Sequence, residues 1–207
     1  MTKLEVEHRG YLTQKKFNKL NRFFKKNGKF LGNKKRFSII YSPRGKESLG
    51  LHKNPVDLKI RITNKKSELV LKYGKWGGKD ARREFLFPIN SRKFEEMIDF
   101  LFILGFYYGV FNATKTYFYK YKNIEFALVE VPNFCYYFEA EMMANKNDTE
   151  KINEKIFNEC KKLNLKIFSN IALYKLLDKL NNRPGYRFNF KKQKFSEIKK
   201  RFIEYFK

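Results

Sequence analysis

The sequence predicts an α+β fold: an antiparallel sheet of about eight strands, closed into a barrel, with amphipathic helices packed outside it. Three observations lead there. Short alternating segments follow one another through hairpin-length turns, which suits antiparallel pairing and not βαβ units. Each strand is apolar on one face, and five are charged on the other. Helix-spaced apolar stripes between the strands can cover the apolar faces, while closure would gather the charged faces into a wet lumen and remove free edges.

Composition sets the bounds. The chain has 207 residues, enough for one substantial domain, and its 43% hydrophobic and 18% aromatic content marks a folding chain. Lys and Arg number 46 against 21 Asp and Glu, a formal charge of +25 that favours polyanionic partners. Part of that excess has the look of an AT-rich coding bias. Cys135 and Cys160 have no metal-ligand spacing and imply no disulfide framework, so a reducing cytoplasm is the expected compartment. No signal peptide is expected, because the first residues already alternate, and the apolar run Phe100 to Val110 is too short to span a bilayer.

The elements follow in order. Leu4 to Arg9 alternates strictly, with Leu4, Val6 and His8 on one face and Glu5, Glu7 and Arg9 on the other. Thr13 is placed to cap a helix that carries Phe17, Leu20 and Phe24 at helical spacing and stops at Gly28. Lys35 to Tyr41 reads as a strand. Asp57 to Ile62 and Leu69 to Tyr73 form a hairpin through Asn64 to Lys66, and Arg82 to Phe87 is the next strand. Ser91 is expected to cap a helix ending at Gly105. An aromatic hairpin runs from Tyr107 to Tyr121 and back from Glu125 to Val131, and Pro132-Asn133 turns into a strand from Tyr136 to Met142. Asp148-Thr149 is placed to cap a third helix with Ile152, Ile156, Phe157 and Cys160 as its stripe, and Asn170 to cap a fourth through Leu180. Residues 1–180 read as one domain. Residues 181–207 read as a basic helical extension, whose stripe of Phe195, Ile198, Phe202 and Phe206 either docks on the body or arms it against a polyanion.

Some residues have plain structural explanations. His8 lies on an apolar face and reads as a packed histidine. The aromatic series from Tyr107 to Tyr121 can stack bases, but packing between sheet and helices accounts for it. Trp76 covers a lumen mouth or anchors its own loop, His52 has no motif around it, and Gly74 to Gly78 lacks the strand–loop–helix context of a phosphate loop.

The order of charged motifs resembles the CYTH domain family (class IV adenylate cyclase and thiamine triphosphatase), the triphosphate tunnel metalloenzymes. An ExExK-type start is matched by Glu5, Glu7 and Arg9, and a basic strand by Leu58-Lys59-Ile60-Arg61. Leu69-Val70-Leu71-Lys72 matches the next strand, Arg82-Arg83-Glu84-Phe85-Leu86 an RxExE strand, and Lys115-Thr116-Tyr117 a KxR segment. Glu139-Ala140-Glu141 is the late ExE pair, and Tyr174-Lys175-Leu176-Leu177 the terminal helix. The resemblance spans roughly residues 1–180 and rests on order and spacing, since no single motif is specific. It implies an eight-stranded antiparallel tunnel that binds a triphosphate compound with Mg²⁺ or Mn²⁺.

The chemistry of the residues agrees. A triphosphate needs several fixed cations, and Arg9, Lys59, Arg61, Lys72, Arg82 and Lys115 are the candidates. A hard divalent ion needs oxygen ligands, and Glu5, Glu7, Glu139 and Glu141 are the candidates. Glu84 and Glu7 are the candidate catalytic carboxylates, Glu84 to orient water, hold a second ion or pair with a lysine. Three positions depart from the family pattern: Leu86 and Tyr117 replace charged residues, and Val129 stands where an acid usually precedes the late ExE pair. The leading expectation is a metal-dependent phosphohydrolase of tripolyphosphate, a nucleoside triphosphate or a similar compound. The alternatives are a class IV-type adenylate cyclase, for which no base-reading residue stands out, and a non-catalytic binder of polyphosphate or RNA 5′ ends, which the high charge and the three replaced positions favour.

Overall fold

A computed structural model describes residues 4–47, 55–74 and 83–207. In chain order the elements are β1 (Leu4–Leu12), α1 (Gln14–Asn27), β2 (Lys29–Tyr41), β3 (Val56–Thr63), β4 (Lys66–Tyr73), β5 (Arg83–Ile89), α2 (Phe94–Ile103), β6 (Tyr108–Tyr121), β7 (Ile124–Val131), β8 (Cys135–Ala144), α3 (Thr149–Lys162), α4 (Asn170–Asn181), β9 (Arg187–Asn189) and α5 (Phe195–Arg201). The fold is α+β. Hydrogen-bonded order runs β1-β8-β7-β6-β2-β3-β4-β5, with β9 on β6. Among the described residues this order has two ends, β1 and β5, so the closed barrel expected from the sequence is not shown. Alternation fixes the faces of a strand but carries no information about its edges. Both cysteines are free, and no described helix is long and apolar enough to cross a membrane.

The chain divides into two compact units, Met1–Lys34 with Thr114–Leu173 and Lys35–Ala113 with Tyr174–Lys207. In the first, β1 pairs with β8, β8 with β7, and β7 with the second half of β6, all antiparallel. Helix α1 starts where Thr13 Oγ1 accepts from the Lys16 N–H at 3.2 Å, and it ends as Gly28 donates to the Phe24 carbonyl at 2.9 Å. Its Phe17, Leu20 and Phe24 are buried in a core with Phe126, Phe138 and Ile156. Each such side chain contributes about 1.5–3 kcal/mol by leaving water. Lys122 and Asn123 turn the β6–β7 hairpin with φ of 50° and 64°, the left-handed pair that matches strand twist. Gly10 is required by close approach, since a Cβ there would lie 1.9 Å from the Lys166 carbonyl oxygen. Asp148 precedes α3 but makes no capping bond, because its carboxylate accepts from Asn145 Nδ2 instead. At the start of α4 the cap is Ser169, whose Oγ accepts from the Ala172 N–H, one residue before the expected Asn170.

In the second unit, β3 pairs with β2 and β4, and β4 with β5. Asn64 and Lys65 turn the β3–β4 hairpin with φ of 47° and 70°. Asn64 also bonds Lys35 twice, accepting from its N–H at 2.8 Å and donating to its carbonyl at 3.0 Å. Ser91 is not the cap before α2. Asn90 Oδ1 accepts from the Arg92 N–H, while Ser91 Oγ donates to the Lys65 carbonyl. Phe37, Ile39, Ile60, Ile98 and Phe111 form the core. The tail docks in it: β9 pairs with the start of β6, and Phe195, Ile198, Phe202 and Tyr205 are buried there. Its Lys-rich outer side does not stop its apolar stripe from packing.

Candidate functional site

In the first unit, the register of β1 on β8 sets Glu7 opposite Glu141 and Arg9 opposite Glu139, and β8 on β7 sets Glu141 opposite Glu125. Because side chains alternate, Glu5, Glu7, Arg9, Glu139, Glu141 and Glu125 share one sheet face. The opposite face, with Phe138 and Ala140, is core. The four expected metal-binding carboxylates and Arg9 are thus brought together, and Glu125 and Tyr137 join them unforeseen. Arg9 Nε lies 2.7 Å from Glu7 Oε1 and donates to Glu139 Oε1 at 2.9 Å. Glu7 Oε1 is buried and accepts no hydrogen bond, so the Arg9–Glu7 contact is an ion pair by distance whose N–H is not aimed at the oxygen.

The electrostatics of this face are acid-rich. Burial first, then Glu139, push the Glu7 carboxyl up to about 8 despite the opposing pull of Arg9. Burial and the charge of Glu5, with which it shares a hydrogen bond, push Glu141 up to about 8. Burial and Glu139 raise the Tyr137 phenol. For Arg9, burial works against the charged form, but Glu139 and Glu7 outweigh it and the guanidinium is held more firmly protonated than usual.

The donor chemistry fits a hard divalent cation: all-oxygen, anionic, with one buried carboxylate oxygen lacking a hydrogen bond. As the side chains stand, no three acidic, histidine or cysteine groups among the described residues form a ligand set. Arg9 provides the positive charge between Glu7 and Glu139 instead.

Lys115 does not join this face. It pairs with Glu130 across β6–β7 and so lies on the side of Tyr117 and Tyr119, the latter fully buried in the core. The β6 residues on the carboxylate side are Thr116, Phe118 and Lys120, with Lys120 opposite Glu125. Val129 is buried on the carboxylate side, opposite Tyr137, so an uncharged residue does stand there.

In the second unit, one face of β3, β4 and β5 carries Asp57, Lys59, Arg61, Glu68, Lys72 and Glu84. Lys59 Nζ lies 3.0 Å from Asp57 Oδ2, Arg61 Nε 2.7 Å from Glu68 Oε2, and Lys72 Nζ 3.2 Å from Glu84 Oε2. Arg61 also reaches Glu84 at 3.9 Å. Of the roles open to Glu84, pairing with a lysine is the one seen. Burial lowers the Lys59 pKa, Asp57 resists, and Lys72 and Arg61 lower it further. Arg36, unforeseen as a site residue, extends the face from β2, where its Nε donates to Thr63 Oγ1 at 2.9 Å. Leu86, opposite Val70, leaves an apolar gap where a second acid was the family pattern. Arg82, with Trp76 and His52, lies outside the described residues.

An antiparallel α+β sheet bearing a carboxylate face and a paired basic face defines the class of fold. No protein-family model and no curated protein matches the sequence. Solved structures do match. The PH1819 protein from Pyrococcus horikoshii aligns with a TM-score of 0.62 at 23% identity, over 84% of this chain and 99% of that one. A putative adenylate cyclase from Vibrio parahaemolyticus aligns at 0.61 and 12%, over 86% and 99%. HpAC1 from Hippeastrum, a putative adenylyl cyclase with a dominant triphosphatase activity, aligns at 0.56 and 14%, over 88% and 98%. The resemblance read from the motifs therefore holds at the level of the fold.

Proposed function

We propose that this chain binds a triphosphate compound in a charged lumen and hydrolyses its terminal phosphate with Mg²⁺ or Mn²⁺, in the cytoplasm. The observation that carries the reading is the carboxylate face of β1 and β8, where Glu7 and Glu141 stand opposite each other and resist ionisation. Several half-buried acids with Arg9 as their close counter-charge are suited to a further cation. Glu5, Glu7, Glu139 and Glu141 would hold the ion, which when bound supplies charge neutralisation on phosphate oxygens. Residues 1–180 carry the site, with 181–207 as an extension of it.

The chain's own groups do the rest. Arg9, Lys59, Arg61, Lys72 and Arg82 bind phosphate oxygens, with Lys72 and Arg61 exchanging their carboxylate partners for them. Released from Lys72, Glu84 orients water. Water attacks the terminal phosphorus in line. The new P–O bond forms as the bond to the bridging oxygen breaks, orthophosphate and the shortened polyphosphate leave, and a carboxylate, Glu7 or Glu84, takes the water proton. Lys115, on the other side of β6, has no part in this.

A second reading is non-catalytic binding of polyphosphate or an RNA 5′ end. It is favoured by Leu86 and Val129, which stand uncharged on the two charged faces. Product analysis decides. Orthophosphate from tripolyphosphate and ATP supports hydrolysis, pyrophosphate with cyclic nucleotide moves the assignment to a cyclase, and tight binding without turnover supports the binder.

A further inference from the structure

A cavity of about 180 Å³ lies within the second unit. Drug-sized ligands occupy about 300–1,000 Å³, whereas an apolar cavity of about 150 Å³ takes a single benzene ring. This one suits a planar heterocycle and is too small for a whole nucleotide. Its apolar lining includes Ile40, Leu177 and Leu180.

Its polar groups select the ring. Asn112 lines the cavity, and its Oδ1 is buried and accepts no hydrogen bond. A buried acceptor calls for a donor from the ligand. Asp57 lines the cavity as well, paired with Lys59 at 3.0 Å, and its carboxylate disfavours an anion inside, which leaves Lys59 to serve phosphates lying outside. An Asn amide matches adenine in particular: its oxygen accepts from the 6-amino group while its nitrogen donates to N7. Arg183 also lines the cavity, fixed by donation to the Leu180 carbonyl at 3.2 Å and by the Tyr186 ring 3.6 Å away. A planar guanidinium favours a π face. Lys59 connects the cavity to the basic row, with Arg61 two residues along β3, about 7 Å, a separation that a ribose can bridge.

We propose that this cavity takes the adenine base of a nucleoside triphosphate whose phosphates lie along Arg61 and Lys72, with Asn112 as the base-reading residue. The proposal rests on the triphosphate reading above and narrows its substrate from any triphosphate to an adenine nucleotide. Inosine, with a 6-oxo acceptor in place of the amino donor, is disfavoured. If the amide flips, its oxygen faces N7, so one of the two bonds is lost either way.

The test is calorimetric binding of adenosine and inosine to the full chain, beside hydrolysis of tripolyphosphate. Wild type should bind adenosine at least about tenfold tighter than inosine. Asn112→Leu should bring the two within about twofold, and Leu177→Trp, which fills the cavity, should lose both. No adenosine binding by wild type, equal affinity for the two nucleosides, or a preference that survives Asn112→Leu overturns the proposal. The wild-type comparison depends on no variant folding. Tripolyphosphate has no base, so its hydrolysis without adenosine binding sinks the base pocket alone, and adenosine selectivity without turnover of any triphosphate sinks the hydrolase reading alone.

Discussion

Replacing Glu7 by Gln should stabilise the protein at alkaline pH and cost about 1–3 kcal/mol near pH 4.5, where the native carboxyl is neutral as well and only the burial of the amide counts. In the unfolded chain the Glu7 carboxyl has its ordinary pKa of 4.5, and in the fold it is held at about 8 by burial and by Glu139. Between those values the unfolded chain has released a proton that the native state keeps, so stability falls as pH rises through the window. The rise is worth at most about 5 kcal/mol once pH exceeds the folded value. The amide keeps the shape but must itself be buried, at a cost of about 1–3 kcal/mol, and 17% of the Glu7 side chain stays in water. A net gain of about 2 kcal/mol at pH 8 remains, a rise in Tm of about 4–8 °C for a chain of this size. Thermal unfolding followed by circular dichroism from pH 4.5 to 8.5, in chelator, reads it directly. A Tm difference that is constant across pH, or a variant less stable than wild type at pH 8, would refute the electrostatic account of this face.

Two further outcomes follow from the same structure. Arg9→Met removes the counter-charge between Glu7 and Glu139 and should cost about 2 kcal/mol in urea unfolding at pH 8, with a smaller loss at pH 5, where Glu7 is neutral in the fold. Gly10→Ala places a Cβ 1.9 Å from the Lys166 carbonyl oxygen, and since backbone cannot swing aside, unfolding should come easier by on the order of 3 kcal/mol.

Strict alternation made the two site strands legible. Leu4 to Arg9 and Asp57 to Ile62 carry one charge pattern and one apolar pattern each, and β1 and β3 present them as read. Lys115 was illegible for the opposite reason. It sits between Thr114 and Thr116 in a strand with tyrosines on both faces, so period two assigns it no side, and only its pairing with Glu130 does. The raised pKa of Glu7 and Glu141 depends on which residues stand across β1 and β8, and register is a property of pairing rather than of either segment. Caps slipped by one residue where two good capping residues adjoin, as at Asn90-Ser91 and Ser169-Asn170. The tail stripe was equally suited to an arm or a docked helix, and the burial of Phe195, Ile198 and Phe202 decides for docking. Asn112 belongs to no motif, and only the cavity around it marks it out.

The most direct test of the central claim is orthophosphate release from tripolyphosphate with Mg²⁺ or Mn²⁺, comparing wild type with the double variants Glu5→Ala/Glu7→Ala and Glu139→Ala/Glu141→Ala. The account predicts metal-dependent release by wild type, abolished in both double variants while their circular dichroism spectra stay native. Turnover that survives either pair, or no release by wild type from tripolyphosphate or ATP with either ion, would contradict it.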